Sequence, residues 1–204
     1  MIRSFSSRIH VDVDDGIFAP HLTWPYTAPG AFTPFDLDCL QGLCTEVHVM
    51  ADKPREVGEA FARAGAACII AHLEVFADAD EARGTFRSWK QCGAKEVGLA
   101  LLYETPLEGV APLIPEIDLA HLMSIDTIGT QNIPFEPKAP ERVARFRALY
   151  RDTSISVDGG VSKDNIGELI RAGATRFGVG SAIMRASNPA AAYEELKHLA
   201  EKSA

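Results

Sequence analysis

The sequence predicts an α/β fold, a parallel barrel in which each strand is followed by a helix, and three observations carry that expectation. From Thr45 onward, short β-branched apolar runs alternate with longer segments of helical period. The strand candidates are nearly continuous hydrophobic runs, as expected of a parallel sheet whose faces are covered by helices. The first strand leads into "DVDDGIF" rather than the glycine-rich turn that usually opens a doubly wound sheet, which favours closure into a barrel.

Taken in order, the opening strand at 8–13 sets the apolar Ile9, Val11 and Val13 against His10 and Asp12, with Asp14 continuing the polar face. The stretch 17–43 is rich in Pro, Thr and aromatic residues and has no regular period. In a barrel it is a long loop at the mouth, read as functional, with a plain connector as the alternative. Strands at 45–50, 68–75, 96–102, 119–125, 154–157 and 176–179 then alternate with helices at 54–64, 80–92, 106–114, 140–150, 163–172 and 189–202. Pro54, Pro106 and Pro140 fall in first helical turns, where a missing N–H costs nothing. The segments "ARAGAA", "KQCGAK" and "IRAGAT" end helices on a glycine suited to the left-handed cap. Seven strands result, one short of a full barrel. The chain therefore reads as a parallel (β/α)8 TIM-type barrel lacking or truncated at its first βα unit.

With 204 residues, the whole chain at 1–204 fits one domain with a sizeable core. Hydrophobic residues at 47% and charged residues at 24% exclude a disordered chain. A net charge of -8, with no stripe of Lys and Arg, argues against nucleic acid and anionic membrane as partners. The four cysteines, Cys39, Cys44, Cys68 and Cys92, show no CxxC spacing and suit a reducing compartment. No apolar run is long enough to span a bilayer, and no apolar core of a signal peptide opens the chain. A cytoplasmic enzyme is expected.

The apolar face of the first strand packs on helices, so His10 and Asp12 point into the barrel, where a buried carboxylate is costly unless paired or metal-bound. A hydrogen-bonded His–Asp pair inside a polar barrel is the alternative. His48 lies on the alternating face of the second strand, where a core histidine is the plain reading. Asp158 closes a strand immediately before Gly159 and Gly160, the barrel position that carries catalytic residues and where backbone N–H groups grip phosphate. The last strand ends in "GVGSAIM", another turn of small residues beside it. Together His10, Asp12, His48 and Asp158 form a set suited to zinc or another divalent transition metal. Two carboxylates flanking a sugar can remove a proton from one face and return it on the other.

At these residues the sequence resembles the ribulose-phosphate 3-epimerase family. The stretches "HVDVDDGIFAPHLTW", "EVHVMADKP", "AGAACIIAHLE", "GLALLYETPLE", "DLAHLMSID", "ISVDGGVSKDNIGELIRAGA" and "VGSAIMRASNP" appear in the family's order and cover nearly the whole chain. The resemblance implies a (β/α) barrel epimerising a ketose phosphate at C3, an activity of the pentose phosphate type. It implies one divalent metal ion (Zn, Fe, Mn or Co) held by His10, Asp12, His48 and Asp158, with Asp12 and Asp158 as the acid/base pair. Gly159, Gly160, Gly180 and Ser181 would bind the phosphate of the small phosphorylated sugar, Gly129 would survive from a further phosphate loop, and His48, Met50 and Met123 would line the substrate.

Four departures from the family accompany this resemblance. No strand and helix precede Ile9, which leaves facing sheet edges for a second subunit to cover, so a homo-oligomer is expected. Asp14 replaces a methionine, placing a third carboxylate beside the metal, where it would change the charge or bond a substrate hydroxyl. The loop "TIGTQNIPFEP" keeps only Gly129 and Gln131 of the family's glycine-rich run, and the long loop diverges after "FAPHLTW". The alternatives are a catalytically impaired barrel acting as a binding or assembly subunit and an isomerase or aldolase-like relative on the phosphate-binding barrel. That relative would use Lys and Asp, and no lysine ends a predicted strand. His72 and Glu74 are expected to support the site or the core rather than bind metal.

Overall fold

The computed structural model describes residues 2–130 and 132–203. Strand β1 (Arg8–Asp14) leads into a long loop that contains a small antiparallel hairpin, β2 (Tyr26–Ala28) and β3 (Ala31–Phe32). The parallel alternation resumes with β4 (Cys44–Met50), α1 (Pro54–Arg63), β5 (Cys68–His72), α2 (Ala79–Gln91) and β6 (Glu96–Leu101). It continues with β7 (Leu119–Met123), α3 (Ala139–Leu149), β8 (Ser154–Asp158), α4 (Ile166–Arg171), β9 (Arg176–Gly178), α5 (Ser181–Met184) and α6 (Pro189–Ser203).

One seven-stranded parallel sheet runs in the order β1-β4-β5-β6-β7-β8-β9. The sheet curls nearly shut, because Arg176 on the last strand reaches across the interior to Glu46 on the second strand at 2.7 Å and Glu96 on the fourth at 2.9 Å. Among the described residues β1 and β9 do not pair. A cleft of about 510 Å³ lies along that open side, lined by Ile9 and His10 of β1, Phe177 of β9, Val179 and Leu196 of α6. The rings of Phe5 and Tyr193, 5.4 Å apart, join the amino-terminal segment to α6 beside it. This is the parallel barrel that the sequence predicts, with the gap at its first unit.

Strand alternation divides the interior from the core. Val47, Val49, Ile69, Leu99, Ile155 and Val157 face outward, fully buried against helix residues that include Phe61, Trp89, Phe146 and Leu169. Inside the barrel, Cys68, Ile70, Ala100 and Leu119 form a small apolar plug. The segment expected as a helix at 106–114 is instead a 3-10 stretch, Leu107–Glu116, because Pro112 and Pro115 remove the N–H donors that an α-helix needs. The expected strand at 68–75 ends at His72 and passes into a 3-10 turn at Leu73–Val75. No helix of the described residues is long and apolar enough to cross a membrane.

Candidate active site

The polar face of β1 enters the barrel in register with β4, pairing His10 with Glu46, Asp12 with His48 and Asp14 with Met50. On the far wall, β7 and β8 pair His121 with Ser156 and Met123 with Asp158. The four residues expected to hold a metal therefore meet. Asp12 Oδ1 lies 3.2 Å from both His10 Nε2 and His48 Nδ1. Asp158 Oδ2 lies 4.0 Å from His48 Nδ1 and 3.7 Å from His121 Nε2.

Each of the first two imidazoles is fixed by a partner on its far nitrogen. His10 Nδ1 lies 2.8 Å from Glu46 Oε1; an ionised carboxylate only accepts, so Nδ1 donates and Nε2 keeps its lone pair in the neutral ring. His72 Nδ1 donates to Glu74 Oε2 at 3.2 Å, which leaves His72 Nε2 to accept from His48 Nε2–H at 2.9 Å. His48 Nδ1 is thereby left with a lone pair facing Asp12 and Asp158. His72 and Glu74 thus support the site from behind, as expected of them. Glu74 Oε1 also accepts from the Leu102 N–H at 2.9 Å, which locks the relay to the neighbouring loop.

Burial and charge act oppositely on this group. Burial favours the neutral forms of His48, His72 and His121 and holds all three below the usual histidine value. For His10 burial also works against the charge, but the hydrogen bonds to Asp12 and Glu46 outweigh it and raise the value well above normal. Burial would raise Asp12 and Asp158, yet their histidine partners bring both below the usual carboxylate range. Asp12 is 53% exposed toward the cleft, so solvent screens much of that effect.

Asp14 sits one step further along the strand. It is 4% exposed, its Oδ1 has no hydrogen-bond partner, and burial, then the charge of Asp12, raises its pKa to about 6. Asp15 has a structural role. Its Oδ1 accepts from the N–H groups of Ile17 and Phe18, and its Oδ2 accepts from Asp52 N–H, tying the loops after β1 and β4 together.

Above the polar layer, Met50, Met123, Ala19, Ile125 and Ile128 form an apolar cap with Phe18, whose ring lies 5.0 Å from that of His72. The start of the long loop therefore roofs the interior. Its remainder packs elsewhere, with the ring of Phe35 tilted against that of Phe61 of α1 at 4.4 Å. Gly159 and Gly160 follow β8 with φ of 108° and 66°, a turn that side chains disfavour. Because β8 and β9 pair, Gly180 and Ser181 lie on the adjacent turn, and both are exposed. Gly129 packs against Ala19 and Pro20 of the β1 loop. Gln131 lies outside the described residues.

Two features escaped the sequence reading. Arg176, Glu46 and Glu96 form a charged triad beneath the histidines, contributed by three strands far apart in sequence. Arg176→Met is expected to destabilise the protein by about 3 kcal/mol in urea denaturation, because it strands Glu46, only 15% exposed, without its cation. Burial raises the pKa of Glu46, but His10, His121 and Arg176 bring it lower still. Its folded value thus lies below the unfolded value of about 4.3, so its stabilisation is complete above that pH and is lost as pH falls through the folded value. Arg176→Met is accordingly expected to shift acid unfolding to higher pH, and an unshifted transition would show that Arg176 does not hold Glu46 ionised.

The second is His121. It shares the inward face of its strand with Met123, repeating the spacing of His48 and Met50, and this repeat was its signal in the sequence. Donor atoms of His10, His48, His121 and Asp158 all lie within 4.8 Å of one another.

Polar and ionisable groups gathered toward the carboxyl ends of parallel strands define an enzyme of the barrel class. Solved structures agree on the fold. A 3-hexulose-6-phosphate synthase from Salmonella typhimurium superposes with a TM-score of 0.62 at 20% identity, over 78% of this chain and 75% of that one. An orotidine 5'-monophosphate decarboxylase from Sulfolobus solfataricus gives 0.60 at 17%, over 82% and 78%. At such identities the likeness concerns architecture alone.

The chain belongs to the ribulose-phosphate 3 epimerase family, whose profile matches residues 3–184. Relatives include ribulose-phosphate 3-epimerases of Mycobacterium bovis (31% identical, spanning 94% of this chain and 81% of the relative) and Synechocystis sp. (34%, 90% and 78%). A cytoplasmic isoform from Oryza sativa subsp. japonica is 31% identical, over 100% of this chain and 86% of its own length. The protein is thus an epimerase, an isomerase-class enzyme acting on carbohydrates, of the pentose-phosphate kind.

Proposed function

We propose that the protein inverts C3 of a ketose phosphate, D-ribulose 5-phosphate to D-xylulose 5-phosphate or a close relative, with Asp12 and Asp158 as the two acid/base groups. The observation that carries this reading is their placement. They come from β1 and β8, on either side of the open seam, and both border the same cleft as Gly180. A sugar whose phosphate rests on Gly159, Gly160, Gly180 and Ser181 would present its carbon chain between the two carboxylates.

One carboxylate takes the C3 proton, and the C3–H electron pair moves into a C2–C3 double bond as the C2 carbonyl becomes an oxyanion. The other aspartate, which enters the cycle as the carboxylic acid, gives its proton to the opposite face of C3 and is left as the carboxylate while the carbonyl reforms, so each turnover exchanges the protonation states of the pair. Met50, Met123 and Phe18 exclude water above the reacting carbons, which protects the enediolate from side reactions. Asp14, with its unpartnered Oδ1, is placed to accept a substrate hydroxyl. The donor set fits a divalent transition cation, since His10 Nε2 and His48 Nδ1 are the ring nitrogens turned toward Asp12 and Asp158, and either would give up any proton it carries there on binding the ion. His10, Asp12, His48 and Asp158 would hold it, and when bound it supplies Lewis-acid stabilisation of the developing oxyanion.

Turnover on a panel of pentulose, tetrulose and hexulose phosphates in deuterated water tests the reading. Epimerisation of a pentulose 5-phosphate with deuterium entering at C3 is expected. Conversion at another carbon, or a carbon–carbon cleavage instead, would refute it.

A further inference from the structure

His121 is the one histidine of the interior polar layer left out of the scheme above, and its environment is built for a ligand. It is fully buried, and its Nε2 has no hydrogen-bond partner. A buried ring nitrogen left without a partner forfeits the hydrogen bond it would make to water. Its strand neighbours on the same inward face are Leu119 and Met123, so an apolar side chain at 121 would fill the layer without that cost.

We propose that His121 Nε2 coordinates the same divalent cation as His10 and His48, making the site a three-histidine centre. The inference rests on the metal reading above and adds a ligand to it. Two distances carry it. His121 Nε2 lies 3.7 Å from Asp158 Oδ2, too far for a hydrogen bond, and His48 Nδ1 lies 4.0 Å from the same oxygen. Two donors each about 2.1 Å from one ion can stand no more than about 4.2 Å apart, so both gaps match a shared cation. The whole set, within 4.8 Å, needs only a side-chain contraction of less than 1 Å to close on one ion.

Orientation points the same way. His121 Nδ1 lies 3.0 Å from Ser156 Oγ, a buried hydroxyl fixed opposite it by strand pairing. If Nδ1–H donates to Ser156, the Nε2 lone pair faces Asp158, as Glu46 arranges for His10 and His72 for His48. Supporting each ligand histidine on its other nitrogen is how metal sites fix ring orientation. The opposite tautomer would aim Nε2–H at Asp158 over a distance that makes no bond. The His121 ring stacks with His10 at 5.5 Å and meets His48 at 4.6 Å, so the three rings form one wall. Three imidazoles with two carboxylates favour a borderline transition ion over Mg²⁺.

The test loads the intact, metal-free chain with Co²⁺ and compares affinity and visible spectrum among the wild type, His121→Leu, Ser156→Ala and His48→Leu. His121→Leu is expected to weaken binding by about 100-fold or more and to change the spectrum, and Ser156→Ala to weaken it by about 10-fold. His121→Leu that binds within about threefold of wild type with an unchanged spectrum, while His48→Leu loses the ion, would overturn the proposal and leave the metal reading standing. Wild-type protein that binds no ion, or His48→Leu that binds it normally, would overturn both. Should His121→Leu fail to fold, the wild-type Co²⁺ protein decides by proton NMR. Three exchangeable, paramagnetically shifted imidazole N–H signals are expected from His10, His48 and His121, and two would overturn the proposal.

Discussion

Asp158→Asn and Asp12→Asn are each expected to lower kcat/KM for epimerisation by about 10³-fold or more, while circular dichroism stays that of the wild type. Asparagine keeps the shape of aspartate and removes both its basicity and its charge, so proton transfer suffers more than packing. Asp158→Asn places a neutral amide among His48, His121 and Asp12, and Asp12→Asn removes the oxygen that His10 and His48 share at 3.2 Å. A sharper readout is the asymmetry of exchange. With one carboxylate gone, the other can still remove and return a proton on its own face. Each variant is expected to exchange C3 hydrogen in at most one epimer without interconverting the two. Near wild-type turnover in either variant would end the two-base scheme, and equal residual exchange in both epimers would point to a single base.

Removal of the cation should have the second largest effect. Exhaustive chelation is expected to reduce turnover about 10³-fold, because the loss of several kcal/mol of oxyanion stabilisation costs a factor of ten per 1.36 kcal/mol, in round terms. It should also lower the melting temperature. An ion present at about 100 times its Kd stabilises the folded chain by about 2.7 kcal/mol, roughly 5–10 °C for a domain of this size. Both losses should reverse in parallel on titrating Zn²⁺ or Co²⁺ back. Without the ion, three imidazoles and the Asp158 carboxylate face one another within 4.8 Å, with Asp12 beside His10 and His48, and only protons can neutralise the charge. Turnover and melting temperature that both survive chelation would remove the cation from the reaction.

Much of this was legible in the residues because local rules wrote it. Period-two alternation alone turned His10, Asp12 and Asp14 to one face and placed His48 beside Met50. The prolines and capping glycines set most helix limits to within a few residues. Pro112 and Pro115, visible in the sequence, would have turned the expected helix at 106–114 into the observed 3-10 stretch had their missing donors been counted. His121 was overlooked for a different reason. A single histidine in an apolar run is locally indistinguishable from a core residue, and its meaning lies in the partners that other strands bring.

The sequence by itself determined the order of strands and helices, the inward face of each strand and the identity of the groups on those faces. These depend on backbone geometry and side-chain periodicity, which act over a few residues. Only the tertiary structure decided which inward groups share a layer. Closure of the sheet brought β1 within reach of β7 and β8, gave His10, His48 and His121 each a partner on another element and left the cleft between β1 and β9. Strand register and curvature are set by packing over the whole chain, so Asp12 and Asp158, 146 positions apart, meet at His48 only once the sheet has curled.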